Sequence, residues 1–314
     1  MNVTFRQLRL FLALAETGSV SGAARAMHVT QPTASMQLRE ITDAVGMPLY
    51  EVVSRRVHLT EVGVELARTA RAMAGEWDAF GQKVDGIKGL TRGRLQVAVV
   101  STAKYFIPRL LGVFCQKHPE IDISLEVLNR DGVVARLREN LDDLCIMSIP
   151  PTDIEIEDAT FLPNPLVLIG PAGHALAGTT DLGLDALKAE RFILREPGSG
   201  TRMATERHFA RTRFRPARLM ELGSNEAIRE AVAGGLGVAV VSVHALGDAP
   251  ARQGVCVLGV HGFPIASQWH IVHQRGKRLS PIAQVFRDHL VSQAAKWRQN
   301  PSRFVRRVSA RRAA

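Results

Sequence analysis

The stretch SVSGAARAMHVTQPTASMQLREI, residues 19–41, sets two apolar-periodic segments side by side with only a few residues between them. Helices joined that tightly must cross steeply, and a close crossing needs small side chains such as Ala23 and Ala24. Thr30 is placed to cap the second helix, with Pro32 in its first turn, where a missing N–H costs nothing. Ala34, Leu38 and Ile41 lie at i, i+4 and i+7 and define the buried stripe. Gln31, Thr33, Ser35, Met36 and Arg39 then face outward. Two readings follow: a helical hairpin that completes a core with an ordinary solvated face, or a surface that reads DNA.

The flanking residues extend the pattern. Thr4 with Gln7 forms a capping-box signature, and Phe5, Leu8, Leu12 and Ala15 recur at helical spacing until Gly18 ends the helix. Ser21 is the expected cap of the next helix, whose inner face is Ala23, Ala24 and Met27. Beyond Gly46 and Pro48, VVSRRVHLT alternates as a small β-wing does, with Arg55 and Arg56 near its tip. From Thr60 to Ile87 the period is helical again. Val64, Ala67, Ala70, Met73 or Ala74, Trp77 and Val84 form a stripe without an obvious cover. That makes it a candidate dimerisation helix, the alternative being a helix folded onto its own domain. KGLTRGR follows as a hinge.

After residue 94, short apolar runs such as RLQVAVV, DISLEVL, RFILRE and GVAVVS alternate with helical stretches, which predicts α/β structure with mostly parallel pairing. PNPLVLIGPAGH and the return strand QWHIVHQ are placed to carry the chain between two subdomains. A ligand cleft is then expected between them, at strand C-terminal ends. The expected divisions are residues 1–60, 61–90, 91–295 (the second subdomain at about 165–266) and a basic tail, 296–314.

Charge alone does not decide the function. The formal charge is +10 over 314 residues, but Lys296, Arg298, Arg303, Arg306, Arg307, Arg311 and Arg312 supply seven of those charges. Residues 1–60 carry six arginines against four acids. The motif, not the isoelectric point, carries any claim of nucleic-acid binding. No apolar run approaches the roughly 20 residues that span a bilayer. The N-terminus lacks the pattern of a secretory leader, so a cytoplasmic protein without a membrane partner is expected. Cys115, Cys145 and Cys256 are scattered and odd in number, which suits a reducing compartment. Nothing in their spacing assigns them a role.

The order of parts is specific. On FRQLRLFLALAETGSVSGAARAMHVTQPTASMQLREI, on LTEVG opening the long helix and on the α/β region that follows, residues 1 to about 295 resemble a LysR-type transcriptional regulator. STAKYF, LREPGSGTR, LGSNEAI and KRLSP resemble in particular the regulators of RuBisCO (Calvin-cycle) operons. The resemblance implies an all-α winged helix-turn-helix, a long dimerising linker helix, and an α/β effector domain of two subdomains like a type-2 periplasmic binding protein. It also implies double-stranded promoter DNA with dyad half-sites, a homodimer or homotetramer, and RNA polymerase as partners. One departure stands out. Where the family carries an arginine in the wing, YEVV has Val52, so that phosphate contact is lost or passed to Arg55 or Arg56.

On this reading the DNA-facing set is Gln31, Pro32, Thr33, Ser35, Met36, Arg39, Arg55 and Arg56. Gln31 can pair bidentately with adenine, Thr33 and Ser35 reach a base edge or a phosphate, and the arginines suit phosphate. In the α/β region, glycines and helix N-termini favour a small anion. The expected effector residues are Ser101, Thr102 and Lys104 on one side, Ser199, Gly200, Thr201 and Arg202 on the other, and Ser224 and Asn225 at a third helix start. Serines and threonines at such places also serve as plain caps. Catalysis is poorly supported: GSG is not a nucleophile elbow, and GGLGVAV is no dinucleotide fingerprint. His270 and His273 point to opposite faces of a strand and make no joint metal site. No catalytic residue, metal or cofactor is expected. The competing function class is a metabolic enzyme or binding protein with an accessory helical domain, which a gel shift on upstream DNA would separate.

Overall fold

A computed structural model describes residues 2–54, 56–87, 93–247 and 249–299. Arg55, most of the KGLTRGR hinge and the basic tail from residue 300 lie outside the described residues. The chain forms two units, the first made chiefly of residues 1–89 and the second of the rest.

In the first unit, α1 (Phe5–Thr17) starts at the Thr4/Gln7 capping box and ends at Gly18, whose φ of 63° is left-handed. α2 (Val20–Ala26) is capped by Ser19 rather than Ser21, because the chain turns extended directly after Gly18 and Ser19 accepts the Gly22 N–H at 3.0 Å. α3 (Gln31–Val45) is capped by Thr30 and ends at Gly46. Its Ala34, Leu38 and Ile41 are completely buried with Phe11 and Leu14 of α1 and Ala23 of α2. β1 (Tyr50–Val53) and β2 (Arg56–Leu59) pair antiparallel as the wing. α4 (Glu61–Ile87) is the long helix. Its stripe divides in two: Ala67 and Ala70 are buried in the core of this unit, while Val64, Met73, Trp77 and Phe80 are exposed. Trp77 leans on Phe5 at 5.9 Å between ring centroids. The early part of the helix is therefore covered by its own domain.

The second unit contains two five-stranded sheets of one plan. In subdomain I, β3 (Gly93–Val100), α5 (Ile107–Lys117), β4 (Ile121–Leu128), α6 (Arg130–Arg138) and β5 (Leu144–Met147) make a βαβαβ run in which β3 lies between β4 and β5. β6 (Ile156–Pro163) lies at the far edge. In subdomain II, β7 (Leu166–Pro171) precedes β8 (Arg191–Arg195), α7 (Gly200–Thr212), β9 (Arg218–Leu222), α8 (Asn225–Ala233) and β10 (Val238–Ser242), and β11 (Val255–Val257) closes the edge. β12 (Gln268–Gln274) returns to subdomain I, and α9 (Pro281–Gln299) packs there. The sheet orders are β4-β3-β5-β12-β6 and β9-β8-β10-β7-β11. Pairing is mixed rather than mostly parallel. The βαβ strands pair parallel, whereas β12 and β7 arrive from the other subdomain and run against their neighbours. Among the described residues no helix is long and apolar enough to cross a membrane.

One close approach fixes how α4 leaves the wing. A Cβ on Gly63 would stand 1.9 Å from the backbone oxygen of Leu49, whereas one on Gly75, farther along the helix, would meet nothing within 4 Å. Gly63→Ala should destabilise by about 1–3 kcal/mol through overpacking against rigid backbone. Gly75→Ala should stabilise by about 1 kcal/mol through helix propensity. Urea unfolding of the two variants checks the opposite signs.

Candidate DNA-reading helix and ligand cleft

α3 presents its outer face through its cap. The Thr30 hydroxyl accepts the Thr33 N–H at 3.3 Å and lies 2.8 Å from the Thr33 hydroxyl, so Thr33 is half-buried and tied to the turn. Gln31, Pro32, Ser35, Met36 and Arg39 are exposed. The Ser21 hydroxyl of α2 donates to Gln31 Oε1 at 3.2 Å. That contact orients the Gln31 amide while leaving Oε1 a second lone pair and Nε2 both hydrogens, enough for a bidentate base contact. On the wing, Arg56 is exposed opposite Val53, and Val52, which is 61% exposed, pairs with Val57.

In the α/β unit, the chemistry collects where parallel strands end. A cleft with about 230 Å³ of free space, counting the part open to solvent, is lined by Val100, Ser101 and Thr102 after β3, Asn129 and Arg130 after β4, Ser148 after β5, and Ser199, Gly200 and Thr201 after β8. Strand C-terminal ends are where open α/β sheets place ligands. No lining residue is a carboxylate. α7 begins at Gly200, so its first N–H groups have no partner within the helix and its positive end lies at the cleft. A Cβ on Gly200 would come within 3.2 Å of Ser148 Oγ and 3.9 Å of the Arg130 side chain. Glycine there keeps the cleft from being filled.

The sequence expectation is met in part. Ser101, Thr102, Ser199, Gly200 and Thr201 come together as lining. Lys104 and Arg202 do not line the cleft. Lys104 Nζ bonds Glu226 at 2.9 and 3.0 Å, and the Tyr105 hydroxyl donates to the same carboxylate at 2.8 Å. Burial pushes the Glu226 pKa up, but the bonds from Lys104 and Tyr105 outweigh it and leave the acid below its ordinary value. Arg202 pairs with Glu206 at 2.8 Å and with Glu221, and donates to the Arg195 carbonyl at 2.9 Å. Ser224 caps α8, accepting the Ala227 N–H at 3.0 Å. Asn225 is 2% exposed and joins the cleft wall from behind.

Asn129, Arg130, Ser148 and Arg195 were not anticipated. Arg130 is the one cation in the lining; its Nε donates to the Ile149 carbonyl at 2.7 Å and its Nη1 to Asp131 at 3.2 Å. Its signal was available, since LNRDG starts a helix directly after DISLEVL just as STAKYF follows RLQVAVV. Arg195 closes the strand RFILR and is 2% exposed. It is held by both oxygens of Glu196 at 2.8 Å, by Asn225 Oδ1 at 2.9 Å and by Ser101 Oγ at 3.0 Å. It thereby bonds subdomain II to subdomain I.

The remaining histidines and thiols do not assemble. His270 bonds Asp158 at 2.7 Å and His273 lies 3.6 Å from Glu157. Among the described residues no group of three metal-ligating side chains occurs. The cysteines are free, and burial pushes the Cys145 thiol up.

A helix-turn-helix unit followed by a two-subdomain α/β unit with an anion-suited cleft defines a ligand-responsive DNA-binding regulator. The chain belongs to the LysR family: residues 5–64 match "Bacterial regulatory helix-turn-helix protein, lysR family", and residues 88–295 match "LysR substrate binding domain". It is similar to the HTH-type transcriptional activator CmpR of Synechocystis sp., 42% identical over 92% of this chain and 95% of that one. It is equally similar to the RuBisCO operon transcriptional regulator of Allochromatium vinosum, 42% identical over 94% and 98%. Among solved structures, the Synechocystis PCC6803 CcmR regulatory domain in complex with 2-PG is 46% identical. It superposes at a TM-score of 0.63 over 65% of this chain and 98% of that one. The family is one of regulators, not enzymes.

His244, in the turn after β10, packs tilted against Phe106 at 5.1 Å between ring centroids and bonds the Pro163 carbonyl through Nε2 at 2.9 Å. Burial pulls its pKa down to about 4. In the unfolded chain the ring protonates near its ordinary value of 6.5, while the folded protein resists protonation until about 4. Its neutral form therefore costs nothing above pH 6.5, and stability drains away as pH falls from 6.5 towards 4, in all by on the order of 3 kcal/mol. His244→Gln, which keeps a donor for Pro163, should flatten this slope. Urea unfolding at stepped pH reads it, and an unchanged slope would assign it to other groups.

Proposed function

We propose that this regulator controls carbon-fixation genes in response to a small phosphorylated acid held in the cleft between the two subdomains. The observation that carries the reading is convergence. Ends of four parallel strands bring hydroxyls, an amide, Arg130 and the N-terminus of α7 to one space that no carboxylate lines. Such a site favours an anion rich in acceptor oxygens. The 2-PG complex of the CcmR regulatory domain and the RuBisCO-operon relatives support the same class of ligand and target. Arg130 takes the cationic role first expected of Lys104 and Arg202.

The DNA reading assigns Gln31, Thr33 and Ser35 to base edges, with Pro32 and Met36 beside them, and Arg39, Arg55 and Arg56 to phosphates. The exposed Met73, Trp77 and Phe80 of α4 are the face on which a second copy would pair, giving a homodimer, or a homotetramer built as a dimer of dimers, that reads dyad half-sites. Binding of ligand shifts the regulator between states only by its difference in affinity for them, and RNA polymerase is the downstream partner. The reading places the protein in the cytoplasm.

Calorimetry with 2-phosphoglycolate and with a neutral sugar tests the effector reading. The acid should bind and the sugar should not, and Arg130→Gln should weaken the acid at least tenfold. Equal binding of both, or an unaffected Arg130→Gln, overturns it. For the DNA face, Gln31→Ala should lose about 1–3 kcal/mol on the protein's own upstream site and little on random duplex. Arg56→Ala should weaken both and lower the salt slope by about one. Equal losses for Gln31→Ala on the two duplexes would remove its base-reading role.

A further inference from the structure

The polar groups of the cleft have an internal wiring that goes beyond a count of donors. Arg195 Nη2 donates to Ser101 Oγ at 3.0 Å, and a guanidinium has no acceptor, so the Ser101 hydrogen has to turn elsewhere. Arg195 Nη1 also donates to Asn225 Oδ1 at 2.9 Å, which fixes the amide with its oxygen towards the arginine. Asn225 Nδ2 is then the atom facing Thr102 Oγ1, at 3.2 Å, and it too can only donate. The Thr102 hydrogen is likewise turned away. Asn129 completes the set: its Oδ1 accepts the Gly132 N–H at 2.9 Å, leaving its amide hydrogens for the cleft. The bidentate bond to Glu196 holds the guanidinium in the plane this requires.

We propose that Arg195 and Asn225 are positioning residues that set the polarity of the Ser101 and Thr102 hydroxyls. The closed cleft then offers hydrogens and selects a fully ionised group over one that carries its own proton. This rests on the effector reading above and deepens it: the recognised species is an acceptor-only anion, such as a phosphate monoester in its dianionic form. The dianion of a phosphate monoester takes up a proton near pH 6 and becomes the monoanion. The monoanion's hydroxyl would meet a hydrogen already pointing at it, and one of the two contacts would be lost. Because donors and hydroxyls sit on opposite subdomains, the discrimination exists only while the cleft is closed.

The test compares 2-phosphoglycolate with sulfoacetate, which carries no titrating proton between pH 5 and 8, by calorimetry across that range. For wild type, the affinity for 2-phosphoglycolate should fall about tenfold between pH 8 and 5, while that for sulfoacetate stays level. Asn225→Asp replaces the donor facing Thr102 with an acceptor. It should bind 2-phosphoglycolate at least tenfold more weakly at pH 8 and lose the fall towards pH 5, because Thr102 then accepts from the protonated ligand. The added charge alone would weaken both ligands, so the change is repeated on Thr102→Val. There, Asn225→Asp should leave the pH profile where Thr102→Val put it. The proposal is overturned if wild type shows the same profile for both acids, or if Asn225→Asp shifts the profile equally with and without the Thr102 hydroxyl. If wild type binds neither acid, the effector reading fails as well, which separates the two failures.

Discussion

Arg195 is a guanidinium taken almost wholly out of water, and such a group is tolerated only when nearly every hydrogen finds an acceptor. Glu196 neutralises it in a two-point bond, and two further N–H groups go to Asn225 of α8 and Ser101 of the opposite subdomain. The requirement propagates outward. Asn225 is locked and locks Thr102, and Arg202 braces the Arg195 carbonyl while Glu206 and Glu221 hold Arg202 in turn. A second set of bonds, Lys104 and Tyr105 to Glu226, pins the same two walls. The cleft is thus shaped by a charge that does not line it.

Where that charge can sit follows from the repeated sheet plan. β3, β4 and β5 correspond to β8, β9 and β10, and in both subdomains the residues after the first two strands begin helices. Ser101 and Ser199 stand at equivalent places, as do Asn129 and Ser224. Facing one another, the two halves contribute like groups: hydroxyls, an amide and free backbone N–H groups. Anion chemistry at the seam needs no dedicated motif, because the ends of parallel strands supply it twice.

This explains what was legible in the residues. The helix-turn-helix could be read because Ala34, Leu38 and Ile41 form a local stripe with a local cap, and the βαβ strands because apolar runs mark them. Ser101, Thr102 and the Gly200 turn were found by the same local logic. Lys104 and Arg202 look available to a ligand because each is a cation at a helix start. Their partners Glu226 and Glu221 lie 122 and 19 residues away, and only the fold brings them in. Arg195 was hidden for the converse reason, since an arginine ending an apolar strand reads as a solvated boundary. β6 has a weaker signal because IEDATFLP carries two acids among its eight residues and sits at a sheet edge, where one side stays wet. Ser19 and Ser21 serve equally on paper as the cap of α2, and only the extended backbone directly after Gly18 selects Ser19.

The chain passes between the subdomains twice, near residues 164–166 and again near 265–267, and the two passages are bonded to each other. Asn164 donates to the Ser267 carbonyl at 2.9 Å, and Leu166 and Ile265 exchange bonds at 3.0 and 2.8 Å. Asn164 is also gripped by the Ser242 hydroxyl at 2.6 Å. Two laced strands resist stretching and shearing, yet bend across their own plane with little loss. The angle about this ribbon is then the softest coordinate the backbone leaves between the subdomains, and what holds it in this structure is the side-chain bonding across the seam, Arg195 to Ser101, Asn225 to Thr102 and Lys104 to Glu226.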